Sequence, residues 1–363
     1  MDATLLGYPP ALNSGLWQTG HVQGIAVDRE RGRVYYSFTT VLVKTDLSGA
    51  LLGTVTGIPG HMGDVTFNPE NRRLYASLED KAAGAFSVAV VEVDAIIGVG
   101  MRAEDATVLT TVHLAEVARD YTGGGERARG GIELPASRYG CSGIDGITFG
   151  PRFGQTTGPQ LLTVAYGVHS GVQRSDNDHQ VLLQYDIRNW ARYQRPLTQA
   201  PDRSGPPQVT GKYFLFTGNT RFGVQNLEYD SCLRRWFLGV YAGAKARFPN
   251  FTLFAVDAKS RPRRTRLSGL GGERGLLLAL ADDGLVDPAT GVRGWYQSAD
   301  VGLEALGNGL FYLSRSSQAG ALHTSHSTLC VWTGDPRAPF RPVQEIRGRA
   351  PARRPPRRLL QPV

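Results

Sequence analysis

Five times along the chain, three strand-like patterns return in one order, and an internal repeat of this kind restricts the fold more than any other feature. The first pattern is a short strand after a Gly/His entry: "HVQGIAVD", "HMGDVTFN", "GIDGITFG", "GVQNLEYD" and, less cleanly, "ADVGLEAL". The second ends in small or aromatic residues: "RVYYSF", "RLYASL", "LLTVAYG", "WFLGVYAG" and "LFYLSRS". The third is apolar and closes on aspartate: "VLVKTD", "VAVVEVD", "QVLLQYD", "TLFAVD" and "TLCVWTGD". A fourth strand follows in most units, as in "LLGTVTGI" and "ATVLTTVHL".

Four antiparallel strands per unit, repeated radially, make an all-β propeller in which only short protected edges remain. The entries His21, His61, Gly143, Gly223 and Ala299 lie 40, 82, 80 and 76 residues apart. Each long unit supplies its own four strands, so five blades are preferred to six or seven. A β-sandwich fits the repeated order less well, and a solenoid would need more even units. One propeller domain is expected over residues 1–346 of the 363, with an Arg/Pro-rich tail at 347–363.

The propeller plan separates the two faces of the disc. First strands line the central channel. Their entries and the second-to-third-strand loops open on one face, and the first-to-second-strand turns open on the other. Those other turns, "DRERGR", "NPENRR" and "DSCLRR", are short and charged and read as solvated hairpins. The long insertions fall on the entry face: Arg119 to Cys141, Gly167 to Gln180 and Ala242 to Asn250. Long loops on a rigid scaffold are where function concentrates.

Two of the seven histidines, His21 and His61, occupy equivalent entry positions. With them the entries bring Gln23, Asp64, Asp145, Gln225, Asn226 and Asp300 to the channel mouth, with Glu228 and Glu304 deeper. The loops offer Arg138, Tyr139, His169, Arg174, Asp176, His179 and Arg221. Polar groups in such a ring need partners from protein, water or ligand. Three readings follow. The ring is a water-filled channel; or His21 and His61 with Asp64 or Asp145 hold a divalent metal; or two imidazoles that titrate near neutrality perform acid–base chemistry. The last, without a cofactor, is preferred, since no tight metal motif such as HExxH is present. His113 reads as an outer-sheet residue, and His323 and His326 as part of a mobile loop. The aspartates closing the third strands read as turn caps. "TGGGERARGG" lacks the GK[ST] ending of a phosphate loop, and there is no GxSxG elbow.

Composition narrows the partners. The net charge is +8, but six arginines lie in the tail, which leaves +2 for the rest. A Pro/Arg tail buries little apolar surface and is expected to be disordered, so nucleic acid is not expected as a partner. No apolar run is long enough to span a bilayer. The start "MDATLLGYPP" lacks the basic and apolar segments of a secretory signal, so the expectation is cytoplasmic. Cys141, Cys232 and Cys330 form no CxxC pair and read as scattered core thiols. Oligomeric state is not legible.

In "TGHVQGIAVD", "YGCSGIDGITFGP" and "GVQNLEYD" the chain resembles bacterial β-propeller proteins, most of all carbohydrate-active propellers of the sugar-uronate lyase and sialidase-like groups. The sialidase Asp-box SxDxGxxW is absent. The resemblance implies an enzyme, a lyase or hydrolase, on a small, polar, sugar-like or carboxylate-bearing substrate. In an elimination, Arg and Gln/Asn neutralise the carboxylate, one histidine removes the acidified proton, and the other, or Tyr139, protonates the leaving oxygen. The expected catalytic residues are therefore His21, His61 and Tyr139. Substrate contacts are expected from Gln23, Asp64, Asp145, Arg138, His179, Arg221, Gln225 and Asn226. The alternatives are a non-catalytic ligand- or protein-binding propeller, a metal-dependent hydrolase or lactonase, and a biosynthetic cyclase.

Overall fold

A computed structural model describes residues 7–123, 137–198 and 200–344. The expected tail at 347–363, the domain boundary before it and most of the "TGGGERARGG" stretch lie outside the described residues. Five small antiparallel sheets stand in a ring, the arrangement of a five-bladed β-propeller, and the described residues contain one α-helix, Ala115–Thr122. The innermost strands are Val22–Asp28, His61–Asn68, Cys141–Gly150, Thr220–Asp230 and Leu303–Gly307, which belong to blades 1 to 5 in chain order.

The near-continuous apolar runs of the middle strands have a simple cause. Successive side chains of a strand point to opposite faces, and both faces of every blade are covered by a neighbour. Tyr35 of blade 1 packs toward blade 2 with Leu74 and Leu109, whereas Tyr36 packs toward blade 5 with Tyr312 and Leu329. In blade 4, Trp236 and Leu238 face blade 3, and Phe237 faces Phe311 of blade 5. A fifth cluster joins Tyr75 and Phe86 to Ile144 and Leu162. The core is thus five interblade wedges that close on themselves, and each fully buried aromatic ring contributes about 1.5–3 kcal/mol.

The extra length of the later units does not conceal blades. It also does not stay within its own unit, as the count from four self-supplied strands assumed. Blade 5 is completed by the N-terminal strand Ala11–Asn13, which pairs with Leu322–Trp332 and ties the start of the chain to its end. The hairpin Arg263–Arg266/Arg274–Leu278 follows blade 4 but adds to the outer edge of blade 3, in parallel with Gly211–Phe216. Blade 4 keeps three strands, its edge capped by an isolated pairing of Leu253 with Trp295.

Of the third-strand aspartates, Asp46, Asp186 and Asp335 cap bends through backbone N–H groups, as read from the sequence. Asp94 and Asp257 instead pair with Arg31 and Arg235. His323 and His326 lie within a strand and not in a loop, because the last blade's second hairpin continues past the disc and pairs with the N-terminal segment. His113 ends an outer strand, Leu109–His113. Cys141 and Cys330 are buried, but Cys232 sits exposed in a hairpin turn. No helix among the described residues is long and apolar enough to cross a membrane.

Candidate functional site

Blades 1 to 4 share one irregularity. Each innermost strand slips register near its start, between Val22 and Gly24, Met62 and Val65, Ile144 and Ile147, and Val224 and Asn226. A bulge of this kind re-aims the side chains beside it. Aligned on the bulges, the inner strands form three levels down the axis. The upper level holds Gln23, Gly63, Asp145, Gln225 and Val301. The middle level holds Gly24, Asp64, Gly146, Asn226 and Gly302, and the lower level holds Ala26, Thr66, Thr148, Glu228 and Glu304.

The middle level is a plug. Asp64 is buried, and its carboxylate accepts hydrogen bonds from the backbone N–H of Val65 (2.9 Å), Ile147 (3.0 Å) and Leu227 (3.0 Å). Asn226, with no exposed surface, donates from Nδ2 to the Gln23 carbonyl at 2.6 Å. These two side chains bond blades 2, 3, 4 and 1 together across the axis where the other blades carry glycine. Burial pushes the Asp64 carboxyl well up, and the Ile147 and Leu227 N–H groups oppose that. Asp64 and Asn226 therefore serve the scaffold and line neither end of the channel, unlike the substrate contacts read from the sequence. The plug also separates the axis into two chambers that share no lining residue.

The upper chamber, about 580 Å³, is the mouth on the long-loop face. His21, His61, Gln23, Asp145, Gln225 and Arg221 all line it, together with Glu79, Lys81 and Tyr241. Two clusters line it. In one, Nδ1 of His61 is buried without a hydrogen-bond partner and lies 3.6 Å from Oε1 of Glu79, which Lys81 holds at 2.9 Å. The other oxygen of Glu79 accepts from the Ile144 N–H at 3.1 Å. In the second cluster, Nε2 of His21 lies 3.2 Å from Nε2 of Gln23 and 3.4 Å from the Tyr241 hydroxyl.

Burial, then the charge of Lys81, pushes the His61 imidazole down to about 4. Burial, then His323, lowers His21. Both rings are thus neutral at neutral pH and available as bases. Burial raises the Tyr241 phenol, which stays protonated, and burial with Glu79 beside it pushes Asp145 well up. Arg221 is exposed at the rim with no carboxylate paired to it among the described residues. Next to it Phe222 has a left-handed backbone, φ 62°, and is half-exposed, which is costly for an aromatic residue.

Glycine at the blade 3 entry has its own cause. A Cβ on Gly143 would lie 1.9 Å from Oε2 of Glu79, so the carboxylate of blade 2 occupies the space where blades 1 and 2 carry histidine.

Other expected site residues lie elsewhere. The Tyr139 hydroxyl bonds Arg138 (2.7 Å) and Glu273, with Lys212 4.3 Å above its ring, on the outer side of blade 3. Arg138 joins the same cluster through Glu273 at 2.8 Å. His179 begins the third strand of blade 3 and is buried against Phe214 and Phe216. Arg174 and Asp176 pair with each other at 2.7 Å, buried within the Gly167–Gln180 insertion. Lys245 from the Ala242–Asn250 loop locks that insertion through Asn177 (2.7 Å) and Asp178 (2.6 Å). These loops brace blades 3 and 4 rather than enter the mouth. Among the described residues no group of three or more His, Cys, Asp or Glu side chains is arranged to hold a metal ion.

Glu79, Lys81 and Tyr241 lie outside the first-strand entries that the repeat marks in the sequence. They sit at the mouth ends of second strands, which "RLYASLEDK" and "WFLGVYAG" place on the same face.

No protein-family model matches the chain, and no curated protein does. Two solved structures that do match are distant. One is the computationally designed Ika4 protein, 13% identical over 62% of this chain and 88% of that one, with a TM-score of 0.27. The other is a protein of unknown function from Bacteroides caccae, 10% identical over 72% and 87%, with a TM-score of 0.29. Neither likeness is close enough to bear on function, and the architecture rests on the sheets themselves.

Proposed function

We propose that the protein is an enzyme whose site is the upper chamber, performing acid–base elimination, or hydrolysis with the same groups, on a small polar, sugar-like molecule that carries a carboxylate. One observation carries the reading. A neutral imidazole 3.6 Å from a carboxyl (His61, Glu79) and a protonated phenol 3.4 Å from a second imidazole (Tyr241, His21) line one cavity of small-molecule size. If the 3.6 Å gap between Glu79 and Nδ1 of His61 closes on substrate binding, the proton stays on that nitrogen and Nε2 is the base.

In the elimination, Arg221 and Gln225 hold the substrate carboxylate, which acidifies the adjacent C–H. His61 takes that proton, the C–H electrons become the new C=C bond, and the C–O bond opposite breaks. Tyr241 gives its proton to the leaving oxygen, and His21 at 3.4 Å steadies the phenol. The proton on His61 then returns to the Tyr241 side through solvent. Tyr241 takes the role that sequence reading offered to Tyr139.

A panel of uronate and other sugar-acid substrates, read by the ultraviolet absorbance of a conjugated C=C product and by release of reducing ends, tests the reading. His61→Ala and Tyr241→Phe should each lower kcat about 100- to 10,000-fold with the fold intact. Arg221→Ala should raise KM about tenfold or more with a smaller change in kcat. Unchanged turnover in both His61→Ala and His21→Ala would overturn the proposal. Binding with no turnover of any substrate would favour a non-catalytic module.

A further inference from the structure

The opposite end of the axis is a second cavity, about 500 Å³, below the Asp64–Asn226 plug. Its roof is the lower level of the inner strands, so the same strand positions that are Ala26 and Thr148 in blades 1 and 3 bring Glu228 and Glu304 together in blades 4 and 5. The two carboxyls share a hydrogen bond. Glu228 also accepts from the Tyr229 N–H (2.8 Å) and the Thr148 hydroxyl (3.2 Å), and Glu304 from the Val27 N–H (3.1 Å).

Two further features distinguish this chamber from a structural carboxyl pair. The hydroxyl of Thr66 lines it with no hydrogen-bond partner, although Thr66 is only 5% exposed. That hydroxyl opens onto the cavity, where it can accept from a donor bound there. Phe67, Phe149 and Tyr229 border the same space, their rings packed on Tyr35, Tyr75 and Trp236. Carboxylates, a free hydroxyl acceptor and aromatic rings together are the complement of an ammonium group.

We infer that the lower chamber is a second ligand site, one that takes a small protonated amine with its NH₃⁺ group on Glu228, Glu304 and Thr66 and its alkyl part against the aromatic wall. The acidic rim favours the same sign of ligand. Glu30 and Glu70 open onto solvent there, and the guanidinium of Arg29 is turned to the Leu306 carbonyl at 2.9 Å.

Burial holds Glu228 up at about 7 and Glu304 well above its usual range, so the empty pair keeps a shared proton near neutrality. The charged or titratable groups facing it are Arg29, Asp28, Glu30, Glu70 and Tyr8. A bound ammonium favours the doubly ionised pair, so binding expels that proton.

Titration calorimetry of the full chain at pH 7 with butane-1,4-diamine, in two buffers of different ionisation enthalpy, tests the site. One saturable site is expected, with close to one proton released per amine. Glu304→Gln, which keeps the acceptor for Val27, should weaken binding about tenfold or more and abolish the proton release, and Thr66→Val should weaken it about fivefold. No saturation by about 10 mM amine overturns the inference. So does binding that Glu304→Gln and Thr66→Val leave unchanged, or saturable uptake of Mg²⁺ or Ca²⁺ with no amine binding. Because the upper chamber is untouched, the outcome is independent of whether the proposed acid–base activity exists.

Discussion

The two ends of the axis are built from the same strands and differ in sign. At the mouth, imidazoles, Lys81 and Arg221 meet two carboxyls, Glu79 and Asp145, that burial pushes up, a setting for an anion. At the other end, five carboxyl groups meet one guanidinium, a setting for a cation. Three positions along a strand separate the two environments: Asp145 belongs to the mouth and Thr148 to the lower chamber. What keeps them apart is the plug. One aspartate and one asparagine, with glycine in the other three blades, fill the middle level and bind the strands across it. A repeat fold therefore needs little sequence to carry two chemistries, provided one level between them is given to structure.

The largest effect should come from breaking that division. Asp64→Ala leaves three buried N–H groups without their acceptor and should cost about 3–5 kcal/mol in urea unfolding, whereas Asp64→Asn keeps an acceptor oxygen and should cost less. If Asp64→Ala lost under about 1 kcal/mol, the middle level would be no plug.

A smaller effect separates the chambers by pH. His61, the half-buried His169 and the buried His179 are held down at about 4, below the ordinary value of 6.5. The unfolded chain binds more protons in that window, so stability should fall as pH drops from about 6.5 to 4. His179→Phe should reduce the stability lost across this window by about 2 kcal/mol. The Glu228–Glu304 pair has the opposite sign, since its folded values are raised. The stability it contributes is present below about 4.5 and is lost as pH rises through about 7. Glu304→Gln should therefore gain stability relative to the native chain at pH 8 and not at pH 5, as measured by thermal unfolding. A mutant without this crossover would show that the pair is ionised throughout.

The smallest effect tests the mouth alone. The Lys81 charge helps lower His61, so Lys81→Met should move the acid limb of the pH–rate profile, or the His61 resonance in an NMR titration, upward from about 4. A downward shift would break the assignment of Lys81 as a cation acting on His61.

The ring of five blades was legible because its signals are local. Strand alternation, turn residues and the order of the three patterns lie within about forty residues of each other, and the first-strand entries named His21, His61, Gln23, Asp145 and Gln225 directly. Arg221 was also placed correctly at the mouth, whereas the long insertions misled. Length put Arg138, Tyr139, Arg174 and His179 on the entry face, but length does not say whether a loop enters the channel or braces its neighbour. Here Lys245 from the blade 4 loop holds the Gly167–Gln180 insertion through Asn177 and Asp178, and Glu273, from the hairpin that follows blade 4, holds Arg138 and Tyr139.

What the chain determined by itself is periodicity: which residues are buried, which strand is innermost, how many blades close the disc. These follow from side-chain alternation and turn chemistry, which need no knowledge of distant segments. What only the tertiary structure decided is adjacency across blades. The N-terminal strand in blade 5, the hairpin 263–278 on blade 3, Glu79 beside His61, and Asp64 on the backbones of blades 3 and 4 are all contacts between segments far apart in sequence. A hydrophobic pattern requires that a face be covered and a polar group be paired. Which partner does so is settled when the ring closes.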